Sequence, residues 1–122
     1  MSERVVVAVQ SQQDVNALTV DTRVLAATQG APIRQAAELS AVVEELATNA
    51  LRHGGGEALV SVAVGPAGWT VEVEDRGPGL SRKQSLGTGL MQVQQLSSRL
   101  ELTNRRGGGA RIVAHRDFPA TS

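Results

Sequence analysis

The spacing of hydrophobic positions along the chain switches between the two-residue period of strands and the 3.6-residue period of helices. Arg4 to Gln10 carries Val5, Val6, Val7 and Val9, a β-branched cluster that predicts a strand. Ser11 then stands as a helix N-cap, and Val15, Leu18, Thr22, Leu25 and Ala26 follow at helical spacing, predicting a helix over 12–29 that stops at Gly30 before Pro32. From Ile33 to His53, the positions Ala36, Leu39, Val43, Leu46 and Ala50 are spaced 3, 4, 3, 4 on one face of a longer helix. Gly54-Gly55-Gly56 ends it.

The second half reads as short strands around one helix. Glu57 to Val64 and Trp69 to Asp75 are rich in β-formers and flank Gly65-Pro66-Ala67-Gly68, so they are expected to form an antiparallel hairpin. Arg76 to Thr88 reads as loop, and Gly89 to Ser98 as a short helix with Leu90, Val93 and Leu96 inward. Arg99 to Asn104 and Ala110 to His115 close the chain as a second hairpin. The order is βααββαββ, without repeats or linkers. It predicts an α+β two-layer sandwich, a mostly antiparallel sheet with helices on one face. We expect a single domain over 1–118 and a frayed tail over 119–122.

Composition removes several function classes. Twelve Lys and Arg balance twelve Asp and Glu, so no net field draws the protein to nucleic acid or an anionic membrane. Trp69 and Phe118 are the only aromatic residues, too few for a base-stacking platform. Cysteine is absent, which excludes disulfides, thiol catalysis and Cys-ligated zinc. Lys83 is the single lysine and lies in a polar Ser-Arg-Lys-Gln-Ser segment, away from any Walker A glycine loop or kinase-type strand. The apolar run Val5 to Val9 is too short to span a bilayer and no signal-peptide pattern is present, so a cytoplasmic protein is expected.

What stands out is the thirteen glycines, gathered at element ends beside polar residues. On the long helix, Glu45 and Asn49 project only about 40° apart, whereas Glu44 points about 100° farther round. A carboxamide oxygen suits Mg²⁺ and the neighbouring carboxylate is free to act as a base, although such a pair is by itself usually a solvated helix edge. Asp75-Arg76-Gly77-Pro78-Gly79 follows a strand, where an Asp can accept a hydrogen bond from an exocyclic amine while glycine lets the backbone approach a flat ligand. Such an acceptor favours adenine over guanine by about tenfold or more. Taken alone, an ordinary turn explains the segment equally well. Gly87-Thr88-Gly89-Leu90 opens the short helix, where free N–H groups favour phosphate. Gly107 to Arg111 reads by itself as a permissive hairpin turn, with Arg105-Arg106 as solvated surface.

The order and spacing of these segments resemble the GHKL, or Bergerat-fold, ATP-binding family. The N box corresponds to Glu45 to His53, the first glycine box to Asp75 to Gly79, the second to Gly87 to Leu90, and the last to Gly107 to Ala110. The short frame and the string Glu-Leu-Ala-Thr-Asn-Ala-Leu-Arg-His-Gly look like the small bacterial serine/threonine kinases of the anti-sigma-factor and RsbT switch type.

That resemblance implies Glu45 as general base, Asn49 as the Mg²⁺ ligand, and Asp75 on the adenine amine. Gly77, Gly79 and Gly109 would line the nucleotide pocket, and Gly87, Thr88, Gly89 and Leu90 would meet the phosphates. It implies ATP and Mg²⁺ as cofactors and a STAS-domain protein as substrate, with a sigma factor or a PP2C-type phosphatase as a further partner. His53 matches a histidine frequent in this subfamily and is expected to be structural.

Two departures stand against the pattern. The lid, Leu80 to Leu86, is shorter than is usual in the family, and Ala110 replaces a Thr whose hydroxyl would support the Asp. The short lid motivates an alternative, a non-catalytic nucleotide-binding switch acting by protein contact. A detached ATP-binding half of a histidine kinase is a third reading, and it would need its phosphoacceptor module on a separate chain.

Overall fold

Short-range signals set where each element starts and stops. The computed structural model describes residues 3–53, 56–77 and 88–119. Its elements are β1 (Glu3–Val9), α1 (Gln12–Thr28), α2 (Ile33–His53), β2 (Ala58–Gly65), β3 (Gly68–Asp75), α3 (Thr88–Leu96), β4 (Arg99–Asn104) and β5 (Ala110–Asp117). Ser11 is the N-cap of α1, its Oγ accepting the Asp14 N–H at 3.2 Å, while Asp14 Oδ2 accepts the Gln10 N–H at 2.9 Å. The turn from β1 into α1 is thereby fixed from both sides. Gly30, at φ +80°, takes the chain out of α1 and Pro32 leads into α2.

Among the described residues the strands form one antiparallel sheet in the order β1-β2-β3-β5-β4. The β2–β3 hairpin turns at Pro66 and Ala67. Strand ends differ by a few residues from the sequence pattern because pairing decides them. β5 continues past His115 since Trp69 and Gly68 offer partners to Arg116 and Asp117, and β1 starts at Glu3 opposite Val64.

One face of the sheet carries Val60, Val62, Val71, Val73, Ile112 and Ala114, all buried against the helices. The helix positions Ala36, Leu39, Val43, Leu46 and Ala50 are all buried, and Val42 and Ala47 widen that stripe. The opposite face has no covering layer among the described residues. The row Ala8, Leu59, Glu74, Arg111 crosses it, with Leu59 47% exposed. The result is the two-layer α+β sandwich that the period changes predict. No helix among the described residues is long and apolar enough to cross a membrane.

Candidate nucleotide-binding site

Three pieces of backbone converge on Asp75, the last residue of β3. Its strand register turns the side chain to the helix-covered face, where the residue is only 9% exposed. A carboxylate so placed needs donors. Oδ1 accepts the N–H of Gly77 at 3.0 Å and the N–H of Ala110 at 3.1 Å. Among the described residues Oδ2 accepts none, so the two described donors share one oxygen of the carboxylate.

Ala110 therefore supports Asp75 through its main chain. A Thr hydroxyl is not required for that hydrogen bond, and what Ala110 lacks is the additional bond a hydroxyl would give.

The β4–β5 turn reaches Asp75 because Gly107, Gly108 and Gly109 all have positive φ. Gly109 packs directly on the Asp75 carbonyl, and a Cβ built on it would collide with that oxygen. This turn is more than a permissive connection. Nor is Arg105 solvated surface: it is half-buried, and its guanidinium donates to the Asp75 carbonyl at 2.9 Å. Sequence reasoning missed it because the partner lies thirty residues away along the chain. Only the pairing of β5 with β3 brings the two together. Arg106 is exposed, as expected.

On α2, Glu45 and Asn49 are half-buried at the flank of the apolar stripe, while Glu44 is exposed, the arrangement given by their angular offsets. α2 packs on both β3 and α3, on the face of the sheet to which the Asp75 side chain turns. Leu90 is 6% exposed within the core, so what it offers a ligand is its backbone. Thr88 and Gly89 form the first turn of α3. Gly79, Gly87 and the stretch Leu80 to Leu86 lie outside the described residues, and so do Arg82 and Lys83.

A cavity of about 380 Å³ opens at the same end of the sheet, lined by Ala8, Leu59, Glu74, Arg76 and Arg105 among others. It draws on the row that faces away from the helices, and none of its described lining residues comes from α2. Asp75 and Ala58 line it as well, so it opens directly beside Asp75.

The described pieces of the expected site are thus an anchored Asp at a strand end, a Glu/Asn pair on a helix flank and the first turn of α3. Residues 34–120 match the model of the HATPase_c family, described as histidine kinase-, DNA gyrase B-, and HSP90-like ATPase. The chain belongs to this family. Membership in HATPase_c, the GHKL family, implies ATP binding.

The fold has solved relatives. The chain is similar to the SiaB–SiaC complex structure from Pseudomonas aeruginosa, with TM-score 0.77 and 14% identity over 91% of this chain and 88% of that one. It is also similar to the RsbU and RsbW domains of Rv1364c from Mycobacterium tuberculosis, with TM-score 0.74 and 19% identity over 97% of this chain and 34% of that one. A more distant fit is the histidine kinase domain of the E. coli osmosensor EnvZ, with TM-score 0.51 and 27% identity over 71% of this chain and 68% of that one. No curated protein matches the sequence.

Proposed function

We propose that this HATPase_c chain is an ATP- and Mg²⁺-dependent serine/threonine kinase of a bacterial partner-switching pathway, acting on a STAS-domain regulator in the cytoplasm. The observation that carries the nucleotide half is the asymmetric Asp75 carboxylate, whose Oδ1 takes both N–H donors found among the described residues; in this reading Oδ2 accepts the adenine amine. The pairing of Glu45 with Asn49 supports the kinase half. Similarity in fold to a structure of the SiaB–SiaC complex and to the RsbU and RsbW domains of Rv1364c supports a partner-switching role with a protein substrate, and in this reading a sigma factor or a PP2C-type phosphatase is the further partner.

In this reading Gly77, Gly79 and Gly109 line the adenine pocket, and Gly87, Thr88, Gly89 and Leu90 present the α3 N-terminus to the phosphates. Glu45 takes the proton of the acceptor hydroxyl as its oxygen attacks the γ-phosphorus, and the bond to the β-phosphate oxygen breaks, leaving ADP. Mg²⁺ typically keeps several waters and binds through substrate phosphates, so a single neutral oxygen from Asn49 suits it without an acidic cage. The ion would supply neutralisation of phosphate charge.

The brevity of Leu80 to Leu86 favours a second reading, a non-catalytic nucleotide switch. Labelled ATP, Mg²⁺ and a co-encoded STAS protein, incubated with wild type and Glu45→Ala, separate the two. Transfer by wild type that is lost in the variant supports the kinase. Nucleotide binding without transfer supports the switch.

A further inference from the structure

The side chain of Arg105 is not accounted for by the nucleotide reading, and its placement is specific. Nη1 donates to the Asp75 carbonyl at 2.9 Å, and Nη2 lies 3.9 Å from Glu74 Oε2, with both side chains about 30% exposed. Its own main chain closes the β4–β5 turn: the Arg105 N–H donates to the Gly109 carbonyl at 2.9 Å, and the Arg105 carbonyl accepts the Gly108 N–H at 3.2 Å. The residue that grips the Asp75 main chain thus also shapes the turn that delivers the Ala110 N–H to Asp75 Oδ1. We propose that Arg105 is a positioning residue for adenine recognition, bracing Asp75 from the uncovered face of the sheet so that Oδ2 alone meets the base. This rests on the nucleotide reading above and adds a determinant of base selectivity to it.

The physical case is one of geometry. Discrimination between an adenine amine and a guanine carbonyl needs a carboxylate oxygen fixed in direction, and a carboxylate rotates unless its carrier is fixed at both ends. Gly77 and Ala110 fix the carboxylate end. At the other end, the Asp75 carbonyl is held by Arg105 and abutted by Gly109. A planar guanidinium can bind the carbonyl through one nitrogen while another faces Glu74. The guanidinium borders the cavity beside Asp75, and its side chain stays about 30% exposed. Removing it should leave the fold standing.

The test compares wild type, Arg105→Ala and Arg105→Lys in the full chain. Affinities for ATP and GTP are read with fluorescent nucleotide analogues, and amide exchange at Gly77 and Ala110 is read by NMR without nucleotide. The alanine variant should weaken ATP binding by about threefold to tenfold, the scale of one hydrogen bond, with a smaller change for GTP so that selectivity falls. Its Gly77 and Ala110 amides should exchange faster, while the melting temperature stays near wild type. Lysine should restore most of both, since one ammonium hydrogen bond replaces one guanidinium bond. Unchanged affinity, selectivity and exchange in Arg105→Ala overturn the proposal. Equal weakening of ATP and GTP alongside a lowered melting temperature also overturns it, because that is a merely structural role. A wild type that binds no ATP instead defeats the nucleotide reading, and this inference with it, an outcome distinguishable from failure of Arg105 alone.

Discussion

Asp75 illustrates how few atoms decide base selectivity. With Oδ1 committed to the N–H groups of Gly77 and Ala110, an Asn at this position must keep its oxygen there and turn its NH₂ to where Oδ2 was. A donor then faces the adenine amine, and a guanine carbonyl becomes the better partner. Asp75→Asn is therefore expected to lose ATP affinity by about tenfold or more and to shift preference toward GTP, measured by competition binding. Gly109→Ala is expected to be worse for a different reason. Its φ of +98° and the collision of a Cβ with the Asp75 carbonyl cost at least about 1–3 kcal/mol, visible as a lower melting temperature together with lost nucleotide binding. At this scale the sequence was informative about where side chains stand, with Glu45 and Asn49 on the flank of the apolar stripe and Asp75 at the end of β3. It was silent on where a backbone N–H donates, as at Ala110, since every residue type but proline supplies that group.

The long helix was readable to its ends, because Pro32 and the triple glycine bracket a regular 3, 4, 3, 4 stripe. Burial makes that stripe costly to alter. Leu46, fully buried and next to Glu45, is expected to cost about 2–5 kcal/mol as Leu46→Ala in denaturant unfolding. The strands were legible as elements and less so at their limits, which are fixed by partners distant in sequence. The uncovered face of the sheet contributes a pH dependence. The Arg111 guanidinium, 2.6 Å from Glu72 Oε1, holds the Glu72 carboxyl below its ordinary value, chiefly through that hydrogen bond and against a smaller opposing effect of burial. A carboxyl lowered on folding adds stability above its ordinary value near 4.5 and loses it as pH falls through the folded-state value. Glu72→Gln should therefore be modestly less stable than wild type at neutral pH, by an amount typical of a partly exposed pair, and converge with it in acid. Thermal melts across that range check it.

For the whole molecule, the order of elements and the clustering of glycines were enough to reach the two-layer fold and the family. In the meeting of β3 with the β4–β5 turn, the resemblance already set position 110 beside Asp75, but the grip of Arg105 on the Asp75 carbonyl was not legible, because nothing local marks Arg105 as its neighbour. That meeting also has a consequence for when binding competence arises. Asp75 and Ala110 stand 35 positions apart, so the acceptor for adenine is finished only when a strand from the end of the chain has docked on one from the middle. Contacts of such separation carry a large loop-closure cost and form late. In refolding, capture of a fluorescent ATP analogue should therefore rise no earlier than the fluorescence change of Trp69, the single buried tryptophan, followed together by stopped flow. During synthesis on the ribosome, the same geometry leaves the emerging chain unable to engage nucleotide until β5 has cleared the exit tunnel.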